Sequence, residues 1–219
     1  LYGTGSSTFD YVTIGEATFG LYQAAAAEHT IRRSTIHTSG HGLYVALGTL
    51  AADAITVHSC STAGVHVAAS GGATLTRSVL RNNSTYGLYV AQNASSTADT
   101  VLRQSTVHGN SSYGVYVSSS SGARAVQVQD SIISSNGSYG VYRSGTGTAI
   151  TVTHSNVWGH GSANYSGSIT QSDNLSANPL YVNAGSGNVR ITSNSPCRFA
   201  SSTAGDIGAL PYTGDATAG

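Results

Sequence analysis

The sequence predicts an all-β solenoid, in which short strands stack in parallel from one coil to the next. Two observations carry this prediction: one glycine recurs at a nearly constant spacing, and aliphatic residues keep a fixed phase to it. The glycines are 22, 22, 23, 27 and 26 residues apart, and they are Gly20, Gly42, Gly64, Gly87, Gly114 and Gly140. A period in the twenties is typical of repeat proteins whose single units cannot bury their apolar faces alone.

The repeated segment is clearest in Ser105–Val117, which has the sequence S-T-V-H-G-N-S-S-Y-G-V-Y-V. Ser78–Val90 and Ser131–Arg143 are close copies of it. Because successive side chains of a strand point to opposite faces, the aliphatic residues on either side of the second tyrosine face inward. They predict one interior column, formed by Leu43, Val65, Leu88, Val115 and Val141.

Two further columns support the same register. The first is polar: Ser34, Cys60, Ser78, Ser105, Ser131 and Ser155. The second lies three residues before it and is aliphatic: Ile31, Val57, Leu75, Leu102, Val128 and Val152. Equivalent residues recur in the same chain direction with no hairpin between them, so the strands are predicted to pair in parallel, about 4.8 Å from coil to coil.

Three segments are predicted along the chain. Residues 1–173 form the coils, residues 174–212 close the C-terminal end, and residues 213–219 form a linker or flexible tail. All three prolines lie beyond the coils, at Pro179, Pro196 and Pro211. This placement agrees with a parallel sheet, because proline would remove one of its hydrogen bonds.

Composition narrows the classes of partner and compartment. Only 8% of residues are charged, the net charge is +0, and lysine and methionine are absent. No nucleic-acid partner and no membrane insertion are therefore expected, and the neutral, hydroxyl-rich surface favours an extracellular, secreted or cell-surface protein. The start at Leu1 suggests a mature or excised segment. Cys60 and Cys197 are predicted to remain unbridged, because several coils separate them.

The turn asparagines Asn83, Asn110 and Asn136, each followed by the glycine and two alternating aliphatic residues, resemble the coils of right-handed parallel β-helix proteins of the pectate-lyase-like superfamily. Four motifs resemble the closing segment of large bacterial secreted and surface β-helix proteins: Asn178–Asn183, Asn188–Ile191, Ser195–Cys197 and Asp206–Ala209. The resemblance implies a right-handed single-chain β-helix of six to seven coils, and secretion. It implies little about function, because this fold carries lyases, hydrolases, tailspikes and scaffolds.

Aromatic residues mark a candidate binding surface. Two residues after each glycine, and outward by parity, lie Tyr22, Tyr44, His66, Tyr89, Tyr116 and Tyr142. Rings at this spacing can bind a polysaccharide or a neighbouring subunit, or they can simply stack on each other and stiffen the sheet. A second column, Tyr86, Tyr113 and Tyr139, shares the parity of the inward residues and is predicted to form a buried corner.

Catalytic and metal chemistry is not predicted. The nine acidic residues are scattered, with Asp53 and Asp99 in separate turns, whereas glycoside cleavage needs a pair of carboxylates. The eight histidines show no convergent set of ligands, so neither a metal nor another cofactor is expected. Asn83, Asn110 and Asn136 also fall in N-x-S/T sequons, which mark either glycosylation sites or turns that suit asparagine.

Taken together, these features favour an extracellular structural scaffold or adhesion module that is not an enzyme. It is expected to associate with itself, as in a surface filament, or with neighbouring modules of a larger parent protein. The alternative is a module that binds or degrades a polysaccharide, as a lyase or hydrolase, through the outward tyrosine stripe.

Overall fold

The computed structural model describes residues 1, 5–119, 122–145 and 147–214, and it confirms a parallel β-solenoid. One sheet has seven strands, one from each coil, and a 13-stranded sheet bends around the other two sides. Each coil therefore contributes to three faces, called faces 1, 2 and 3 below. Residues 215–219 of the predicted tail lie outside the described residues.

The strands are numbered in chain order. Face 1 consists of β3 (Phe19–Gln23), β10 (Tyr86–Gln92), β13 (Tyr113–Val117), β16 (Tyr139–Arg143), β19 (Ala163–Ser166) and the first parts of β6 (His41–Asp53) and β8 (Ala63–Thr76). Face 2 consists of β1 (Ser7–Asp10), β4 (Glu28–Arg32), β11 (Thr100–Arg103), β14 (Val126–Gln129), β17 (Ile150–Thr153), β20 (Thr170–Ser172) and the last parts of β6 and β8. Face 3 consists of β2 (Thr13–Gly15), β5 (Thr35–His37), β7 (Thr56–His58), β9 (Val79–Arg81), β12 (Thr106–His108), β15 (Ile132–Ser134) and β18 (Asn156–Trp158).

The predicted interior column is confirmed. Its five members pair in register from coil to coil and none has measurable exposure: Leu43, Val65, Leu88, Val115 and Val141. Burying a Val or Leu side chain stabilises a fold by about 1.5–3 kcal/mol. The column thus supplies a large part of the stability of face 1.

The predicted register was wrong in the third coil. Val57 pairs with Ile36 and Leu80 on face 3, and Ala52 takes the position assigned to it between Ile31 and Leu75. The serine position of this coil is held by Ile55, whose N–H faces Ser78 Oγ at 3.4 Å. Cys60 belongs to the asparagine column instead, because its N–H donates to Asn83 Oδ1 at 3.0 Å.

Each coil turns at two corners through residues with left-handed backbone. The corner from face 2 to face 3 uses Tyr11, Arg33, Ala54, Arg77, Gln104, Asp130, His154 and Asp173, with φ between 45° and 56°. The corner from face 3 to face 1 uses Glu16, Thr38, Ser59, Asn82, Gly109, Ser135 and Gly159. A non-glycine residue in this region costs about 1–2 kcal/mol, so the stacked sheets must hold these turns in place.

Two ladders of polar side chains satisfy the buried backbone at the corners. In the serine ladder, Ser105 Oγ accepts from the Ser78 N–H at 3.1 Å and donates to the Arg103 carbonyl at 2.8 Å. In the asparagine ladder, Asn83 Nδ2 donates to Asn110 Oδ1 at 2.9 Å. Asn110 repeats this contact with Asn136 at 2.9 Å.

The segment after the coils packs along the side of the solenoid. It forms β21 (Tyr181–Asn183), a 3₁₀ turn (Ala184–Ser186) and β22 (Asn188–Ile191), and it lies over face 3. Ile132 on β15 packs against Ile191 and Ile207, and the Ala209 N–H donates to Thr106 Oγ1 at 3.0 Å. The segment therefore covers the later coils of face 3. At its start Leu175 pairs with Asn156 on β18, at the end of the coils that the sequence predicted this segment to close.

Partly buried apolar residues lie at both ends of the solenoid. Tyr165 and Ile169 pack against the last coils of the core, and Phe9 and Ile14 pack against the first. Cys60 and Cys197 are both free and buried, as predicted. Cys197 lies on the buried side of this lateral segment, where Asn156 Nδ2 donates to its Sγ at 3.2 Å.

Candidate aromatic binding site

The outward side of face 1 carries two parallel rows of rings, named here the aromatic platform. The first row is the predicted one: Tyr22, Tyr44, His66, Tyr89, Tyr116 and Tyr142. The second row lies beside it: Phe19, His41, Tyr86, Tyr113 and Tyr139. The rings are half-buried, so the platform crosses six coils and stays in contact with solvent.

Rings of the first row contact each other from coil to coil. Their centroids are 5.2 Å apart between Tyr22 and Tyr44, 4.3 Å between His66 and Tyr89, and 5.4 Å between Tyr116 and Tyr142. The two tyrosine separations exceed the roughly 3.5–4.0 Å of direct carbon contact. Those rings are therefore offset, and each leaves part of its face uncovered by the next.

The second row corrects the prediction that Tyr86, Tyr113 and Tyr139 form a buried corner. Strict alternation would place Tyr86 and Tyr89 on opposite sides of the strand, yet their rings stack at 4.8 Å. Alternation breaks between them, because Gly87 and Leu88 are both buried. A Cβ atom on Gly87 would lie 2.8 Å from the Gly114 carbonyl oxygen, so only glycine allows the coils to approach this closely.

This break also explains which residues the sequence analysis missed. Phe19 and His41 precede the repeat glycine by one residue, as Tyr86 does, and their rings stack at 5.5 Å. The signal that could have found them is an aromatic residue on both sides of the glycine, at positions three residues apart.

The platform carries little charge at neutral pH. Burial lowers the pKa of His66 to about 4, with a smaller effect from His41, and burial also lowers the pKa of His41. Burial raises the pKa of Tyr44, Tyr86 and Tyr113. Burial thus favours the neutral form of each of these five groups, and the surface offers ring faces and hydroxyl groups to a ligand.

Hydroxyl groups line one edge of the platform. Tyr116 OH lies 3.0 Å from Ser144 Oγ, and Ser118 Oγ donates to Tyr89 OH at 3.1 Å. At the N-terminal end of the platform, Phe19, Tyr22 and Tyr44 line a cavity of about 580 Å³. This volume lies in the range of small-molecule sites, roughly 300–1,000 Å³.

The candidate glycosylation sites lie inside the fold. Asn83, Asn110 and Asn136 are at most 1% exposed, and the amide nitrogens of Asn83 and Asn110 donate to the next asparagine of the ladder. A glycan on any of these nitrogens would have no space and would break the ladder. Their burial therefore favours the second interpretation of these residues, as turn asparagines.

The acidic residues highlighted by the sequence remain apart. Asp53 pairs with Arg77 at 2.5 Å on the edge of face 2, and Asp99 accepts from the Ala125 N–H at 3.1 Å. In the described part of the chain, no three His, Cys, Asp or Glu residues lie together as a metal site would require.

Comparison with known proteins agrees with this architecture. Residues 1–157 match a protein family described as "Right handed beta helix region". Among curated proteins, none matches the sequence. Two solved structures are similar: a periplasmic alginate epimerase, AlgG, with TM-score 0.59 and 12% identity, and a substituted form of it with TM-score 0.52 and 13% identity.

These alignments cover 78% and 77% of this chain, which spans 44% and 46% of the two epimerase chains, less than half of each. At such low identity the likeness shows the fold. It nevertheless contradicts the expectation that the chain is not an enzyme, since the solved structures that share its coils belong to an enzyme acting on a polysaccharide.

Proposed function

Because the chain belongs to the right-handed β-helix family, we propose that it is a carbohydrate-active module that binds a polysaccharide along the aromatic platform of face 1. One observation carries the proposal: a row of six half-buried rings runs across six successive coils. A second row lies beside it and lacks a ring only in the third coil, where Ala63 takes the position. Offset rings expose parts of their faces, on which the apolar C–H face of a sugar can stack. Their hydroxyl groups can exchange hydrogen bonds with those of the sugar.

The shape of the platform favours a polymer. The rings repeat once per coil, about every 4.8 Å, so they offer equivalent contacts along the axis of the solenoid. A ligand with its own repeat can use several of these contacts at once, whereas a single sugar can use only one or two. The name of AlgG, which specifies alginate, provides independent support for a carbohydrate ligand.

A location outside the cytoplasm fits this proposal. AlgG is described as periplasmic, and in the described residues no helix has the length and hydrophobicity needed to cross a bilayer. We propose that the chain acts in the periplasm or beyond the cell, where polysaccharides are found.

The scaffold function that the sequence favoured remains a second proposal. It is supported by the first coil, where Phe9 and Ile14 are only partly buried and pack against the core. A neighbouring module or a second copy could cover this end. Sedimentation velocity separates the two proposals, because a scaffold subunit should associate as its concentration rises, whereas a binding module need not.

Titration calorimetry with a panel of neutral and acidic polysaccharides tests the binding proposal. Tyr116→Ala should weaken binding about tenfold or more, because loss of one stacking aromatic ring commonly costs about 1–3 kcal/mol. Tyr116→Phe should keep most of the affinity. Tyr11→Ala is the matched control, since Tyr11 is 75% exposed and lies at a corner away from the platform.

Equal loss of affinity in Tyr116→Ala and Tyr11→Ala, or no binding of any polysaccharide, would count against the platform. The same incubations can be assayed for cleaved or modified sugar, which reports on catalysis separately from binding.

A further inference from the structure

We infer that face 3 carries a second site, which binds oxyanion groups of an acidic polymer and has Arg81 at its centre. The site is independent of the aromatic platform, which lies on face 1. It consists of four residues at the same position of successive coils: His37, His58, Arg81 and His108. They form the basic row referred to below.

Direct pairing places these residues next to each other. His37 and His58 stack with ring centroids 5.6 Å apart and planes 17° apart. Arg81 follows His58 in the register and is followed by His108. At about 4.8 Å per coil, the row presents a basic group at each step along the axis.

Each of the three histidines contacts a hydroxyl group through Nδ1, from the following residue for His37 and His58 and from the next coil for His108. Each Nδ1 lies 3.0 Å from a hydroxyl oxygen: Thr38 Oγ1 for His37, Ser59 Oγ for His58 and Ser134 Oγ for His108. Within the described residues, their Nε2 atoms make no hydrogen bond. The hydroxyl contacts therefore fix the rings and leave Nε2 as the atom that can bind a ligand.

Among the described residues, three arginines pair with acidic residues, and Arg81 is not one of them. Arg33 pairs with Asp10, Arg77 with Asp53 and Arg198 with Asp206. Arg81 takes part in no ion pair with any described residue, and burial lowers its pKa without an opposing carboxylate. Its guanidinium is therefore a partly buried cation that no described carboxylate neutralises.

The lateral segment holds the guanidinium in place. Gly187 lies over it, so that a Cβ atom at Gly187 would be 2.6 Å from Arg81 Cζ. Gly187 has φ of 84°, and the segment can approach the guanidinium this closely only with glycine. Beside His108, a cavity of about 280 Å³ lined by Trp158, Tyr181 and Asn178 leaves room for part of a ligand.

The guanidinium and imidazole groups of the basic row determine which ligands it can bind. A guanidinium binds carboxylate or sulfate oxygens through two parallel hydrogen bonds, and Nε2–H groups can add one each. Because basic groups repeat along the axis, a polymer that carries an oxyanion on each unit fits better than a single ion. A uronic acid carboxylate and a sulfate ester share this chemistry.

Proton binding should be coupled to ligand binding. Burial, followed by the charge of Arg81, lowers the pKa of His58, and burial also lowers the pKa of His108. The other titratable groups around them are His37, Tyr181 and His160, while Glu16 lies at the first coil of the row. A bound oxyanion favours protonated histidine, so affinity should rise as the pH falls from about 7.5 to 5.5.

The test measures binding of dextran sulfate, polygalacturonate and unmodified dextran at pH 6 and low salt. Arg81→Gln should weaken binding of the charged polymers about tenfold or more, because hydrogen bonds to charged groups are strong. Arg103→Gln removes the same charge from face 2, where Arg103 contacts Gln129 at 2.7 Å, and should change affinity by less than about twofold.

The two polyanions distinguish the sources of the oxyanion: binding of polygalacturonate alone indicates uronates, and binding of dextran sulfate alone indicates sulfate esters. Equal effects of Arg81→Gln and Arg103→Gln, or binding that weakens as the pH falls, would overturn the proposal, as would no binding of either polyanion. His58→Gln provides a second variant if loss of Arg81 displaces the lateral segment. Unmodified dextran carries no oxyanion, so any binding of it should be the same in Arg81→Gln and the parent protein, and the two sites can fail separately.

Discussion

Replacing Asn110 by alanine should remove much of the stability of the solenoid. Asn110 is 1% exposed, and its Oδ1 accepts from both the backbone N–H and the Nδ2 of Asn83, at 3.0 and 2.9 Å. The substitution leaves both donors buried without an acceptor. Each such donor costs about 1–3 kcal/mol, so we expect a loss of about 3–5 kcal/mol in the free energy of unfolding.

Such a loss is a large fraction of the roughly 5–15 kcal/mol that stabilises a folded domain. It can be measured by urea denaturation at pH 7, followed by far-UV circular dichroism. Ser111→Ala is the control, because Ser111 is the exposed neighbour of Asn110 and should lose less than about 0.5 kcal/mol.

Asn110→Asp provides a second test of the asparagine ladder. The second oxygen of an introduced carboxylate would face Asn136 Oδ1 and the Leu80 carbonyl, which now accept from Asn110 Nδ2 at 2.9 and 3.3 Å. Burial and these oxygens raise the pKa of the new carboxyl group in the folded state, so the variant should regain stability as the pH falls through that value. If Asn110→Ala unfolds within about 0.5 kcal/mol of the parent protein, the reasoning from the ladder is refuted.

Three further predictions follow from the core, the corners and the buried histidines. Val115→Asp places an unpaired charge in a fully buried column and should abolish the cooperative thermal transition; a melting temperature within a degree or two of the parent would contradict the register. Ser135→Gly should stabilise the protein by about 1 kcal/mol and Gly159→Ala should destabilise it by a similar amount, because both corner residues have positive φ. Denaturant midpoints that move in the opposite directions would exclude backbone strain as the cause. Burial lowers the pKa of His160 from 6.5 to about 4. The stability that this histidine contributes to the folded state is therefore complete above pH 6.5 and is lost as the pH falls towards 4. His160→Asn should extend the asparagine ladder and reduce this acid sensitivity, and an unchanged pH profile of stability would argue against it.

The coils could be predicted from the sequence because each one meets the same surroundings as the next. Leu43, Val65, Leu88, Val115 and Val141 occupy equivalent positions, and the requirement to fill the core keeps them aliphatic. The outward row from Tyr22 to Tyr142 follows from the same alternation, which is why residue spacing alone locates it. The register failed only where the repeated polar residue was missing, at Ile55 in the third coil.

The second row of rings depended on the tertiary structure. Gly87 lies against the carbonyl group of Gly114 in the next coil, and this close approach breaks the alternation of the strand. Tyr86 turns outward as a result, and the platform becomes two rings wide. No local pattern specifies such a break, because its cause is a contact between residues of different coils.

The corners and the lateral segment were also decided by the tertiary structure. Residues such as Ala54 and Arg77 have no preference for left-handed backbone, and only the coils stacked on either side hold them there. Val79 and Ile132 are outward on face 3 where the earlier coils have Thr13, Thr35 and Thr56, and the lateral segment covers those two apolar residues. The sequence by itself determined the repeating coil, because equivalent residues of every coil pack in equivalent surroundings. Only the folded chain determined that Arg81 lies beneath Gly187, because that contact joins residues about a hundred positions apart and depends on where the last segment docks.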